Sequence, residues 1–125
     1  MATKIRYFGL AGVLFVSAFC HAETADRVHY TSIEYLKNFA LSACVAEGYA
    51  SSAAAAKDAV ASADGYMELG SLDIDAYNEA RALVQKFLAK EYPSLSGEKL
   101  IMMKCVDLYH SKELDRIAKK YAKHR

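Results

Sequence analysis

The chain is predicted to be all-α, a single-domain bundle of five helices in an irregular or orthogonal arrangement, stapled by one intramolecular disulfide. Three observations carry that expectation. Apolar residues recur at helical spacing in every segment after the first thirty residues, and no segment reads as a convincing strand. Cap residues, glycines and the single proline divide that pattern into five stretches. Two cysteines, Cys44 and Cys105, stand on separate predicted helices.

The first 22 residues read as an export signal rather than as part of the fold. Lys4 and Arg6 give a positive start, Tyr7 to Phe19 is apolar apart from Ser17, and Cys20-His21-Ala22 places small residues at −3 and −1 of a cleavage before Glu23. This apolar core, about 13 residues, is short of the ~20 that a membrane-spanning helix needs. A lipoprotein signal fits less well, because Phe19 stands where a small residue should precede the cysteine. Cleavage after Ala22 leaves 103 of the 125 residues, residues 23–125, which is enough for one compact core. Loss of Lys4 and Arg6 turns the formal net charge of +1 into −1, a balance that argues against a nucleic-acid binder. Cys20 leaves with the signal. In an oxidising compartment the remaining pair is expected to bridge, with two buried free thiols as the alternative. Closing a loop of ~60 residues corresponds to roughly 4 kcal/mol in the chain-entropy picture.

Each helix has its own start and stop signals. Thr31-Ser32-Ile33-Glu34 has the form of a capping box, and Ile33, Leu36, Ala40, Ala43 and Cys44 then share one side up to Gly48, a natural C-cap. Ser51 or Ser52 opens an alanine-rich helix through Ala53 to Leu69, where four consecutive alanines favour the helix and allow a close neighbour; Gly70 closes it. Ser71 or Asp73 caps a third helix with Ile74, Tyr77, Ala80, Val84, Phe87 and Leu88 on one face, ended by Pro93. A fourth, from about Glu98 to Tyr109, is apolar around most of its circumference, which predicts a central core helix or one covered in part by a second subunit. Ser111 caps the fifth, with Leu114, Ile117, Ala118 and Tyr121 inward and basic residues at its negative end.

The residues for catalysis are not assembled. His29, His110 and His124 form no metal-binding spacing, and neither a His-Glu-x-x-His, a phosphate loop nor a Gly-x-Ser-x-Gly sequence occurs. Asp107, His110 and Ser111 are triad residue types, but neighbours at one helix end do not form a nucleophile–base–orienter line. Met102 and Met103 beside Cys105 read as core packing, since a disulfide removes the sulfur ligand a copper site would use. The expectation is a protein that is not an enzyme and takes no cofactor or metal. Recognition is what remains. Seven acids against Lys57 lie between Glu47 and Glu79, and six bases against two acids between Lys112 and Arg125. Such runs read as solvated helix faces or, more sharply, as recognition surfaces. The segments Asp64-Gly65-Tyr66-Met67-Glu68 and Asp73-Ile74-Asp75 are the best candidates, an acidic patch with an aromatic centre that would suit a basic exported partner.

Three stretches carry a family likeness: Tyr35-Leu36-Lys37-Asn38-Phe39-Ala40-Leu41-Ser42-Ala43-Cys44, Gly65-Tyr66-Met67-Glu68-Leu69-Gly70, and Lys104-Cys105-Val106-Asp107-Leu108-Tyr109-His110-Ser111-Lys112-Glu113-Leu114. In these residues and their order the chain resembles the immunity proteins that neutralise type VI secretion amidase effectors. The resemblance implies a periplasmic, all-helical protein, commonly a homodimer, with no membrane association after signal cleavage. Its partner would be a peptidoglycan amidase of the papain-like cysteine–histidine type, blocked by a helix of one subunit and a loop of the other that enters the catalytic cleft. Carried onto this chain, the inserting turn falls at His110, Ser111, Lys112 and Glu113. The helical contact falls near Tyr66 and Glu68, or on the acidic face of Asp73, Asp75 and Glu79. A non-enzymatic structural or envelope-stress protein is the alternative reading.

Overall fold

The computed structural model describes residues 27–123, so the expected signal lies outside the described residues. Five helices and no strand occur among them: α1 (Ser32–Gly48), α2 (Ala53–Leu69), α3 (Ile74–Leu88), α4 (Ile101–Tyr109) and α5 (Lys112–Ala122). The all-α, five-helix expectation holds.

Helix α1 is the axis of the bundle and packs against all four others. Its start is the capping box read from the sequence: Glu34 N–H donates to Thr31 Oγ1 at 3.3 Å, and Thr31 N–H donates to the Glu34 carboxylate at 2.8 Å. Donation from the Thr31 N–H first, and then from the Thr31 hydroxyl at 2.7 Å, holds the Glu34 carboxyl below the usual carboxylate range. Leu36, Phe39, Ala40, Ala43 and Cys44 follow at helical spacing and are buried, with Phe39 meeting the Tyr77 ring edge-on at 5.0 Å. Cys44 is bonded to Cys105 of α4, with 5.6 Å between their Cα atoms, and neither residue is exposed.

Gly48 differs from its expected role as a left-handed cap, whereas Gly70 closes α2 as expected but without left-handed backbone. Gly48 is the last residue of α1, and the C-cap is Tyr49 at φ −105°. Gly70 does follow α2, but at φ −73°. Both are small because another helix occupies the space of a side chain. A Cβ at Gly48 would fall inside the Ile101 side chain, and one at Gly70 inside the Tyr77 hydroxyl. Close approach, not backbone freedom, explains them.

The alanine run also differs. Ala53, Ala54 and Ala55 are exposed, and the contact with the core comes a turn or more later through Ala59 and Ala63. Helix α3 starts at Asp73, whose carboxylate accepts from Asp75 N–H at 3.0 Å. It buries Ala76, Tyr77, Ala80, Leu83, Val84 and Phe87, but Ile74, expected inward, is 59% exposed in the first turn, before the helix reaches its neighbours. The helix stops at Leu88, ahead of Pro93, and the Lys104 ammonium donates to its last carbonyl at 3.1 Å. That bond places a cation on the negative end of α3 and explains why a lysine is buried.

Helix α4 departs most from expectation. It begins at Ile101 rather than near Glu98, because Gly97 (φ 76°) and Leu100 (φ 49°) turn the chain through left-handed backbone first. Only Lys104, Cys105 and Leu108 are buried, while Met102, Met103 and Val106 are 49%, 53% and 42% exposed. It is a one-sided helix laid on α1 and α3, not a central one. Helix α5 closes the bundle with Leu114 and Ala118 fully buried and Ile117 and Tyr121 partly so, as its spacing predicts.

Candidate partner-binding surface

The turn between α4 and α5 is tight and held from several sides. His110 N–H donates to Val106 O at 3.1 Å and Ser111 N–H to Leu108 O at 3.0 Å, closing α4. The Ser111 hydroxyl then accepts from Leu114 N–H at 3.1 Å and opens α5. Leu108 and Leu114, three residues to either side, are fully buried and root the turn in the core. His110, Lys112 and Glu113 are exposed, and Ser111 is half-buried. The His110 ring stands edge-on to Tyr109 at 5.1 Å. The arrangement is a short projecting knob with one aromatic, one cationic and one anionic side chain on a rigid base.

A side chain that the sequence did not single out lies beneath this knob. The Lys37 ammonium of α1 bonds the Asp115 carboxylate of α5 at 2.7 Å and sits 4.8 Å from the centroid of the Tyr109 ring of α4. Lys37 is 16% exposed and Asp115 39%. This hydrogen bond is the first cause that holds the Asp115 carboxyl below its ordinary range; Lys119 and His110 add smaller electrostatic contributions. Asp115 also lies in the first turn of α5, where the helix dipole favours an anion.

The other expected contact residues divide between two places. Tyr66 of α2 lines a groove of about 290 Å3 with Tyr30, Tyr35, Arg27 and Leu69. Its ring is 6.3 Å from Tyr30 and 6.5 Å from Tyr35, and Tyr30 meets Tyr35 edge-on at 5.5 Å. Glu68 is exposed on the same helix, Asp73 is engaged as the cap of α3, and Asp75 is exposed beside it. Glu79 is less available than its sequence suggests: its carboxylate accepts from Lys120 at 2.6 Å and from the Tyr121 hydroxyl at 2.7 Å. These bonds, Lys120 first, lower its affinity for a proton. Glu79 and Glu113 do share a feature, the groove of about 380 Å3 between α3 and α5, whose floor is Leu83 and Ile117. Tyr66 and the α4–α5 turn therefore belong to separate grooves and do not form one continuous pocket.

The outward face of α4 is the remaining surface of note. Met102 and Met103 border a groove of about 610 Å3 with Tyr49, Leu100 and Ile101. Among the described residues no three His, Cys, Asp or Glu side chains are grouped to hold a metal ion, and no helix is long and apolar enough to cross a membrane.

Comparison with known proteins bears on this geometry. The family model described as "Type VI secretion system (T6SS), amidase immunity protein" (Tai4) matches residues 34–118, from the capping box through the buried centre of α5. Among solved structures, a chain from the effector–immunity system Tae4/Tai4 of Salmonella typhimurium superposes with a TM-score of 0.68 at 33% sequence identity, covering 73% of this chain and 89% of that one. No curated protein matches the chain.

Proposed function

Since the chain belongs to the type VI secretion amidase immunity family, we propose that it is a periplasmic inhibitor of a peptidoglycan amidase, acting by occluding the catalytic cleft and performing no turnover. The observation that carries this reading is the α4–α5 turn. Its exposed His110, Lys112 and Glu113 project from a base fixed by buried Leu108 and Leu114, and a rigid projection loses little freedom when it enters a cleft. A papain-like effector keeps its nucleophilic cysteine and histidine in such a cleft, so the reactive groups belong to the partner. The export signal expected at residues 1–22 supports the periplasmic address. The homodimer implied by the family resemblance gives Met102, Met103 and Val106 a second copy to cover them, and aromatic Tyr66 with Glu68 offers a second contact in a groove separate from the turn.

The test co-expresses a candidate type VI amidase effector, directed to the periplasm, with and without the protein, and measures lysis and complex formation on gel filtration. Protection and co-elution are expected. Unchanged lysis with no complex overturns the reading and favours a structural envelope protein. Within it, His110→Trp examines the turn, because His110 is exposed whereas Ser111 caps α5. Inhibition should weaken about tenfold or more, the scale of a central interface residue. An unchanged inhibition constant at an unchanged melting temperature removes the turn from the interface.

A further inference from the structure

The turn proposed to enter the cleft has two flanks, and one partly buried cation contacts both. Tyr109 is the last residue of α4, immediately before His110. Asp115 lies in the first turn of α5, four residues after Ser111. Lys37 comes from neither helix but from α1, and its ammonium reaches Asp115 at 2.7 Å while facing the Tyr109 ring at 4.8 Å. We propose that Lys37 is a positioning residue for effector recognition: by tying Tyr109 and Asp115 to the central helix, it presets the projecting turn in the shape that the partner receives.

Three physical points support this. First, the hydrogen bonds of the turn itself are all local, running between residues three or four apart, so they define its curvature but not its place on the bundle. Lys37 to Asp115 spans 78 residues and links the turn to the axis of the fold. Second, the contact is sheltered: with Lys37 only 16% exposed, its stem is packed in the core edge and its head has few alternative positions. An ion pair so fixed defines a geometry better than a solvated one does, even where its net contribution to stability is modest. Third, Lys37 joins the two helices that the turn separates, one through a ring face and the other through a carboxylate. Neither contact alone would set the angle between α4 and α5. A cation over an aromatic face and a charge-assisted hydrogen bond are both directional, and together they set it.

The inference rests on the proposed role of the turn, and the experiment separates the two. Binding of the purified protein to the candidate type VI amidase, its nucleophilic cysteine replaced by alanine, would be followed by surface kinetics for wild type, Lys37→Met, Lys37→Arg, Asp115→Asn and His110→Trp. Lys37→Met keeps the length of the stem, and should weaken binding about tenfold, mainly through faster dissociation. Lys37→Arg should restore most of the loss, because a guanidinium can hold both the carboxylate and the ring. Hydrogen exchange should rise at Tyr109–Lys112 in Lys37→Met while α1 and α3 keep their protection, a change that general destabilisation would not confine to the turn. If His110→Trp weakens binding but Lys37→Met does not, the positioning role is wrong and the turn stands. If neither does, the turn itself is wrong. Loss of protection throughout the bundle in Lys37→Met, without rescue by Lys37→Arg, would also overturn the proposal and make Lys37 a residue of the fold alone.

Discussion

Helices α1 and α4 are joined by a disulfide yet are held in opposite ways. Helix α1 runs through the middle of the bundle and buries six residues along 17, so nonspecific apolar burial anchors it from every side. Helix α4 has nine residues, a left-handed Leu100 in place of a side-chain cap, and an outward row of three apolar residues. Its inward side offers Leu108, the half-disulfide and a lysine. What α1 obtains from area, α4 obtains from particular links: Cys105 to Cys44, Lys104 to the end of α3, and Tyr92 to Asp107 at 2.6 Å. A helix held this way can place the turn that follows it accurately while contributing little to the core. It also leaves that turn more sensitive to single substitutions than its neighbours.

Breaking the disulfide should reveal the contrast at its largest. Replacing both Cys44 and Cys105 by alanine, which avoids leaving hydroxyls in a dry site, should cost about 4 kcal/mol by the loop-closure argument. The loss should not be uniform. Amide exchange in α4 should rise more than in α1, since α1 keeps its burial against α2 and α3 when the bridge is gone. Denaturant unfolding without reductant, followed by exchange, measures both. Equal loss of protection in the two helices would mean that α4 is no more dependent on the link than α1.

Gly48 sharpens the comparison at the point where the same two helices touch. Alanine there directs its Cβ into the Ile101 side chain, with Leu88 behind it at 3.2 Å. Overpacking of this kind costs roughly 1–3 kcal/mol, against a helix-propensity gain of under about 1 kcal/mol. Gly48→Ala should therefore destabilise, and should cost less in an Ile101→Ala background, where the Cγ2 that it meets is gone. A stabilised single variant would show that the interface between α1 and α4 is looser than its geometry. Gly65, where a Cβ would meet nothing within 4 Å, is the control: alanine there should raise the melting temperature.

How far this architecture was legible follows the range of the interactions. The capping box at Thr31 and Glu34, the Ser111 cap, and the apolar faces of α5 and, after Ile74, of α3 are local patterns that the sequence shows because neighbours in sequence decide them. The pairing of Cys44 with Cys105 followed once Cys20 was set aside with the signal. Gly70 closes α2 as its position predicts, but Gly48 is not the left-handed cap expected, because the local rule that makes glycine a cap says nothing of Ile101 arriving from elsewhere. The same limit applies to α4. An apolar circumference gives the hydrophobicity of a helix but not how many neighbours its short length can reach. Of the candidate site, the turn at His110–Glu113 is proposed from the family resemblance, and the structure adds its exposure and its buried roots. Lys37 was not legible, since a lysine in the middle of an amphipathic helix carries no mark of a partner 78 residues away.

The smallest expected effect concerns acid, and it bears on α5, the other half of the turn. Helix α5 is tied to α1 through Lys37 and Asp115 and to α3 through Lys120 and Glu79. Both carboxyls have their affinity for protons lowered in the folded chain, chiefly by those lysines. A carboxyl depressed in this way contributes stability that is fully present above its unfolded value, near 4, and lost as pH falls through the lower folded value. Nothing should change between pH 7 and 5 from this source, and the loss should begin only below about pH 4. Because both pairs are partly solvated, the effect should be small and should shrink further in high salt. Asp115→Asn removes one of the two ties. Its denaturation midpoint should sit slightly below wild type at pH 7, and the two curves should converge as pH falls toward 2. Beyond its first turn, where Glu34 loses its own capping bonds on protonation, helix α1 should keep its amide protection over the same range while α5 loses it. A gap between variant and wild type that stays constant below pH 4 would mean that Asp115 acts through packing, and that the ion pair with Lys37 does not hold α5.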